Sequence, residues 1–151
     1  MYLRISIQGD IQLSRKLMIA SDAVKDWTPA FAKSGEDLVE AFSYDVFETE
    51  GAAIDEDWAP LSPQYAKRKE KHYPDQGILQ ASGVMRQSFM QMYDGTMLKI
   101  WNAAAYFKYH QSNQPRTKIP RRVMMKLTEA MKEMVVKNFQ TLFLEKVGGS
   151  L

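Results

Sequence analysis

Apolar and polar positions alternate with period two over Tyr2–Ile7, placing Leu3, Ile5 and Ile7 on one side, which predicts a half-buried strand that Gly9 and Asp10 end. Asp10 is placed to cap a helix whose apolar positions, Leu13, Leu17 and Val24, recur at helical spacing. A second helix is predicted from Thr28, with Pro29 in its first turn. Its apolar stripe runs through Phe31, Leu38, Val39, Phe42, Val46 and Phe47 to about Glu50, with Gly35 denting it and Gly51 closing it. Pro60 and Pro63 prevent regular structure across the segment that follows. Ser62 then caps a short helix through Tyr65 and the basic run Lys67-Arg68-Lys69-Glu70-Lys71.

Val84–Tyr93 and Met97–Trp101 each alternate in part around Asp94-Gly95, the dipeptide of a hairpin turn in which both central residues take positive φ. On this pattern Met85, Met90, Met92 and Met97 fall on core faces, as do Met131 and Met134 later in the chain. A short helix is predicted over Ala103–Gln111, broken by Ser112-Asn113-Gln114-Pro115. Thr128 caps a last helix to about Lys146, with Met131, Met134, Val135, Phe139, Leu142 and Phe143 on one apolar face and Gly148-Gly149 as its stop. The fold class expected is α+β in a single domain over 1–151. Its antiparallel sheet joins the hairpin to the N-terminal strand and packs against the long helices near 29–50 and 128–146, while 51–77 projects as a loop or arm.

Composition changes this picture little. Among 151 residues 45% are apolar and 25% charged, enough for a real core. The chain has no cysteine, which excludes a disulfide framework, a thiolate metal site and a cysteine nucleophile. No apolar run approaches the roughly 20 residues of a membrane span, and MYLRISIQGD lacks a signal-peptide apolar block, so synthesis and folding in a cytoplasm are expected. Charge is unevenly placed. Residues 1–65 hold 12 acidic and 5 basic side chains, whereas 66–126 hold 3 acidic and 12 basic. Such a chain can bind nucleic acid, or it can bind charged neighbours and copies of itself head to tail.

Candidate chemistry is sparse. Asp45, Glu48, Glu50, Asp55, Glu56 and Asp57 have no fixed ligand spacing, so a solvated acidic surface is favoured over a metal site or a carboxylate-metal nuclease at Asp55 and Asp57. His72 and His110 are 38 residues apart, and His110 among aromatics fits a hydrogen-bonded, semi-buried imidazole better than a general base. No phosphate loop, nucleophile elbow or zinc helix motif occurs, and no cofactor is expected. The basic set Lys67, Arg68, Lys69, Lys71, Arg116, Lys118, Arg121 and Arg122 suits either a phosphate backbone or partner carboxylates.

Three segments in order resemble one family. Trp58-Ala59-Pro60-Leu61-Ser62-Pro63-Gln64-Tyr65 is similar to a W-x-P-L-S/T-x-x-Y/T block. Ile78-Leu79-Gln80-Ala81-Ser82-Gly83-Val84-Met85-Arg86-Gln87-Ser88-Phe89 is similar to an I-L-x-x-T/S-G-x-L-x-x-S-I block. Tyr106, His110-Gln111 and Ile119-Pro120-Arg121-Arg122 are similar to Y-A-x-x-H-Q-x-G … I-P-A-R-x-F. These are the blocks of the phage virion morphogenesis proteins, the tail-completion proteins of Mu-like and P2-like phages. Asn113 stands where the family has glycine after the H-Q pair, and Arg121 where alanine is usual. The resemblance implies a non-enzymatic structural subunit that completes the tail or the head–tail junction as a homo-oligomeric, hexameric ring. Its partners would be the tail tube or terminator and head-connector proteins, with non-specific contact to DNA in the lumen and none to membrane. It would sit in the host bacterial cytoplasm during assembly and then in the virion. On this reading Trp58, Leu61, Tyr65, Arg116, Lys118, Arg121 and Arg122 contact a neighbouring subunit or partner, with Trp58 as anchor. Tyr106, His110 and Pro120 shape the connector that presents the arginines. The alternative is a basic nucleic-acid-binding accessory protein.

Overall fold

The computed structural model describes residues 1–6, 25–113 and 118–148. The helix expected near Leu13 and Leu17, the break at Pro115 and the contact residue Arg116 lie outside them. The architecture is α+β. Strand β1 (Tyr2–Ser6) and the hairpin strands β2 (Phe89–Tyr93) and β3 (Met97–Asn102) form an antiparallel sheet in the order β1-β3-β2. Pairings such as Leu3↔Ile100 and Gln91↔Ile100 set the register.

Helix α1 (Thr28–Glu40) follows Trp27 at its N-cap, and the Asp26 carboxylate just before it accepts from Thr28 N at 2.9 Å, satisfying the first helical N–H. It runs on through a π-helical stretch, Ala41–Asp45, into the turn α2 (Val46–Glu48). Phe31, Leu38, Phe42, Val46 and Phe47 are all fully buried, as the stripe predicts. Gly35 is where helix and sheet touch rather than a dent, because a Cβ there would stand 2.9 Å from Leu98 Cδ1 and closer still to the Gln91 amide. Gly51 closes the helix at φ 95°. An added Cβ would also lie 2.0 Å from Glu56 O, which is backbone and cannot step aside. Gly51→Ala is therefore expected to cost about 2 kcal/mol or more, read as a lowered midpoint in urea unfolding.

The last helix, α6 (Glu129–Gly148), starts with Met131 N donating to Thr128 Oγ1 at 3.2 Å, the predicted cap. It packs chiefly on α1: Phe139 sits edge-on to Phe31 at 4.9 Å, and Asn138 Nδ2 donates to Ser34 Oγ and Asp37 Oδ2. The order of layers is thus sheet, α1, α6, rather than both helices lying on the sheet. The opposite sheet face is open, and Met90 and Met92 are about half exposed there, not in the core. The reason is parity. Val84–Gln87 forms a helical turn, α4, entered from Gly83 at φ 69°, so the strand begins only at buried Phe89 and turns every second residue outward.

The hairpin is present, but neither Asp94 nor Gly95 has positive φ. The turn is instead held by the Asp94 carboxylate, which accepts from Thr96 N, Thr96 Oγ1 and Met97 N at 2.7–2.9 Å. Those bonds, those of Thr96 first, hold the Asp94 carboxyl below its usual range. A depressed folded pKa gives stability that is complete above the unfolded value and lost as pH falls through the folded one. Asp94→Ala should lower Tm at pH 7, and the gap to the native chain should close as the pH is taken below about 4.

Candidate functional site: a basic cleft where three sequence blocks meet

The segment after Gly51 does not project as a free arm at its start. Ile54 is fully buried and Trp58 is 7% exposed. Trp58 stacks edge-on against Phe47 at 5.3 Å and donates from Nε1 to Val123 O at 2.6 Å. An indole buried this way fills its own core and cannot grip a neighbour. Beyond Pro60 comes helix α3 (Pro63–His72), with Ser62 Oγ accepting from Tyr65 N at 3.4 Å as its cap. Tyr65, Lys67, Arg68 and Lys71 are exposed on it, but Lys69 is turned in and 7% exposed. Its ammonium donates to Gly77 O at 2.6 Å and to Gln76 O, tying the helix to the loop after it.

The second block folds over the end of α2. Glu50 Oε1 accepts from Ile78 N at 3.1 Å, and Gln80 Nε2 donates to Phe47 O at 3.0 Å. Leu79, between them, holds φ 62°, a conformation rare for a bulky side chain and one that tends to persist where a site over-determines it.

The third block is fixed by a residue that the pattern of apolar positions did not single out. Gln111 ends α5 (Phe107–Gln111) with 4% exposure. Its Oε1 accepts from Met124 N and Met125 N at 2.9 and 3.1 Å, and its Nε2 donates to Met125 O at 2.7 Å. One amide thereby satisfies three backbone groups of a buried, irregular segment, Val123–Met125. Arg122 follows suit. It is 5% exposed, donates from Nε and Nη2 to Ala59 O at 2.9 and 2.7 Å and reaches Pro60 O at 3.2 Å, while its own N donates to His110 O. Burial lowers its pKa, opposed by Glu50 and Tyr65, yet guanidinium stays charged. Arg122 is thus an internal clamp between the first and third blocks and is not an exposed contact residue. Arg121 is exposed, with Nε donating to Gln111 O at 3.3 Å.

Between the three blocks lies an open cleft of about 540 Å³. The first block contributes Pro60, Leu61, Ser62, Tyr65 and Lys69, the second Leu79, Ala81, Ser82 and Met85. The third contributes Tyr106, His110, Lys118, Ile119, Pro120 and Arg122. Tyr106, His110 and Pro120 therefore form cleft wall. The connector is held by the side chains of Gln111, Trp58 and Arg122 and by His110 O, which accepts from Arg122 N. Every predicted contact residue within the described set except Trp58 and Arg121 lines this one cleft.

The acidic loop shows no convergence: Asp55 and Asp57 are exposed, and Glu56 pairs with Lys126 at 3.0 Å. Among the described residues no three His, Asp or Glu side chains stand close enough to hold a metal ion. Nor, among them, is any helix long and apolar enough to cross a membrane.

The description that matches this chain among protein families is the phage virion morphogenesis family, over residues 10–143, which takes in all three blocks and most of the last helix. No curated protein and no solved structure matches it.

Proposed function

The chain belongs to the phage virion morphogenesis family, and from that premise we propose that it is a non-enzymatic structural subunit that completes the tail or the head–tail junction. It assembles as a ring of six copies, in the host bacterial cytoplasm first and then in the virion. The observation that carries this reading is how the three blocks are used. Their polar side chains, Trp58, Arg122 and Gln111, are spent on fastening backbone segments to one another. That supports a rigid docking surface, where a catalyst would need groups aimed at a substrate. Charge placement favours head-to-tail contact. Glu36, Glu40, Asp45 and Glu48 are exposed along α1 and its continuation, and Lys67, Arg68, Lys71 and Arg121 on the other side of the sequence. Unlike patches of this kind build the heterologous contacts that a closing ring requires.

Light scattering at micromolar concentration and low salt, alone and with purified tails, tests the proposal. A ring, or association with tails, is the expected result; a monomer that ignores tails would overturn it. The exposed α3 cations favour a second role, touching DNA in the lumen. That contact predicts weak duplex binding, with log K falling by about 0.9 per phosphate neutralised for each tenfold rise in salt. No gel shift at about 50 mM salt would remove the DNA role and leave the ring standing.

A further inference from the structure

We infer that the basic cleft binds an extended segment of a different protein, one that presents a carboxylate side chain beside an apolar residue. Lys69 and Arg122 form its floor, each more than nine-tenths buried. Both are held by carbonyl oxygens alone, and among the described residues no carboxylate lies within ion-pair distance of either. Glu50, the acidic group that acts on Arg122 through space, is engaged with Ile78 N. Lys118 adds a third cation, itself exposed, and among the described residues no acidic side chain lines the cleft. Buried cations without a directly paired carboxylate are costly, and both retain donors: one N–H on Lys69 and the Nη1 pair of Arg122. A carboxylate entering the cleft meets those donors in a partly water-excluded setting, where a charge-assisted hydrogen bond is strong.

Shape selects the carrier. The two cations are buried, whereas Tyr65, Tyr106 and Ile119 of the same lining are exposed, and Leu61 and Leu79 add apolar surface. A narrow group on a flexible stem can reach the cations, and an apolar neighbour can rest on that surface. Phosphates on a rigid duplex cannot enter so far. A second copy of this chain is a poor source: the acidic side chains that it exposes along α1 and its continuation sit on helix and not on an extended segment. Its acidic loop Asp55–Asp57 is flanked by Ile54 and Trp58, both buried in their own core, and its Glu56 already pairs with Lys126. The inference holds whether or not the chain forms a ring.

The test uses the full chain and two fluorescein-labelled pools of random decapeptides, followed by fluorescence anisotropy. One pool is built from Asp, Glu, Leu, Phe and Gly; the other has Asn and Gln in place of Asp and Glu. The acidic pool is expected to bind, and the amide pool to bind about tenfold more weakly or worse. Lys118→Glu and Ser82→Glu, which sets a carboxylate in the cleft from an exposed position, should each weaken the acidic pool about fivefold or more. Lys137→Glu, on the exposed side of α6, should leave it unchanged. Equal binding of the two pools, no binding by about 1 mM, or wild-type affinity in both cleft variants would overturn the inference. So would displacement of the acidic pool by duplex DNA, which would make the cleft a phosphate site.

Discussion

Trp58→Ala should unfold the chain or bring it to the edge of unfolding, with a loss of about 3–5 kcal/mol against a typical domain stability of about 5–15 kcal/mol. The indole fills the space between Phe47 and the Val123 segment, and its removal leaves both a void and an unpartnered carbonyl at Val123. Trp58→Phe separates the two terms. It keeps most of the ring packing and loses the Nε1 donor, so it should cost about 1–3 kcal/mol. Thermal unfolding of the purified chain, followed by circular dichroism, reads both. A Trp58→Ala chain as stable as the native one, but unable to assemble, would return Trp58 to the role of a subunit anchor.

Gln111→Leu is the second large effect. The side chain fits the volume but leaves Met124 N, Met125 N and Met125 O without partners in a buried place. At about 1–3 kcal/mol for each such group, a total of about 3 kcal/mol or more is expected, measured as the urea midpoint. The loss should also be local. Val123–Met125 should become open to protease well before the α1–sheet core does, because those residues have no ladder of their own to fall back on. Gln111→Glu tests the mechanism from the other side. It keeps an acceptor for the two N–H groups but turns the donor facing Met125 O, now 2.7 Å away, into a second oxygen, so it too should destabilise. A Gln111→Leu chain with native stability and protease resistance would show that the segment is held by its apolar side chains alone.

How much of this was legible in the sequence depends on the kind of force involved. The stripe Phe31–Phe47 could be read directly, since apolar residues at helical spacing have one way to be buried together. The hairpin was legible as well, although its turn was not. Asp94 and Gly95 point to a turn with positive φ, but the Asp94 carboxylate found three local donors and made a different one. Met90 and Met92 were misplaced for a related reason. Alternation gives two faces but does not say which is inside until the residue that starts the strand is known. Here the helical turn Val84–Gln87 moved that start to Phe89.

The cleft was legible only in part. Leu61, Tyr65, Lys118, Tyr106, His110 and Pro120 were picked out from three separated blocks, and all line it. Nothing local marks Lys69 as different from Lys67, Arg68 or Lys71, yet it alone in that run is turned inward to Gln76 O and Gly77 O. The family resemblance implies that Arg122 and Trp58 contact a neighbouring subunit or partner. Both were instead taken up by backbone groups more than 60 residues away.

By itself, then, the chain's pattern determined the helices beginning near Thr28 and Thr128, the hairpin, the α+β class and the family, because each rests on residues close together in sequence or on the order of short blocks. The tertiary structure decided which side of the sheet is core, that α6 lies on α1, and which polar side chains serve the protein itself. Those outcomes depend on backbone donors and acceptors left over by irregular segments, and such groups have no side-chain signature. Only when the chain is folded does it become clear that Gln111, Trp58 and Arg122 close these gaps, leaving a cleft with positive charge and, among the described residues, no acid in its lining.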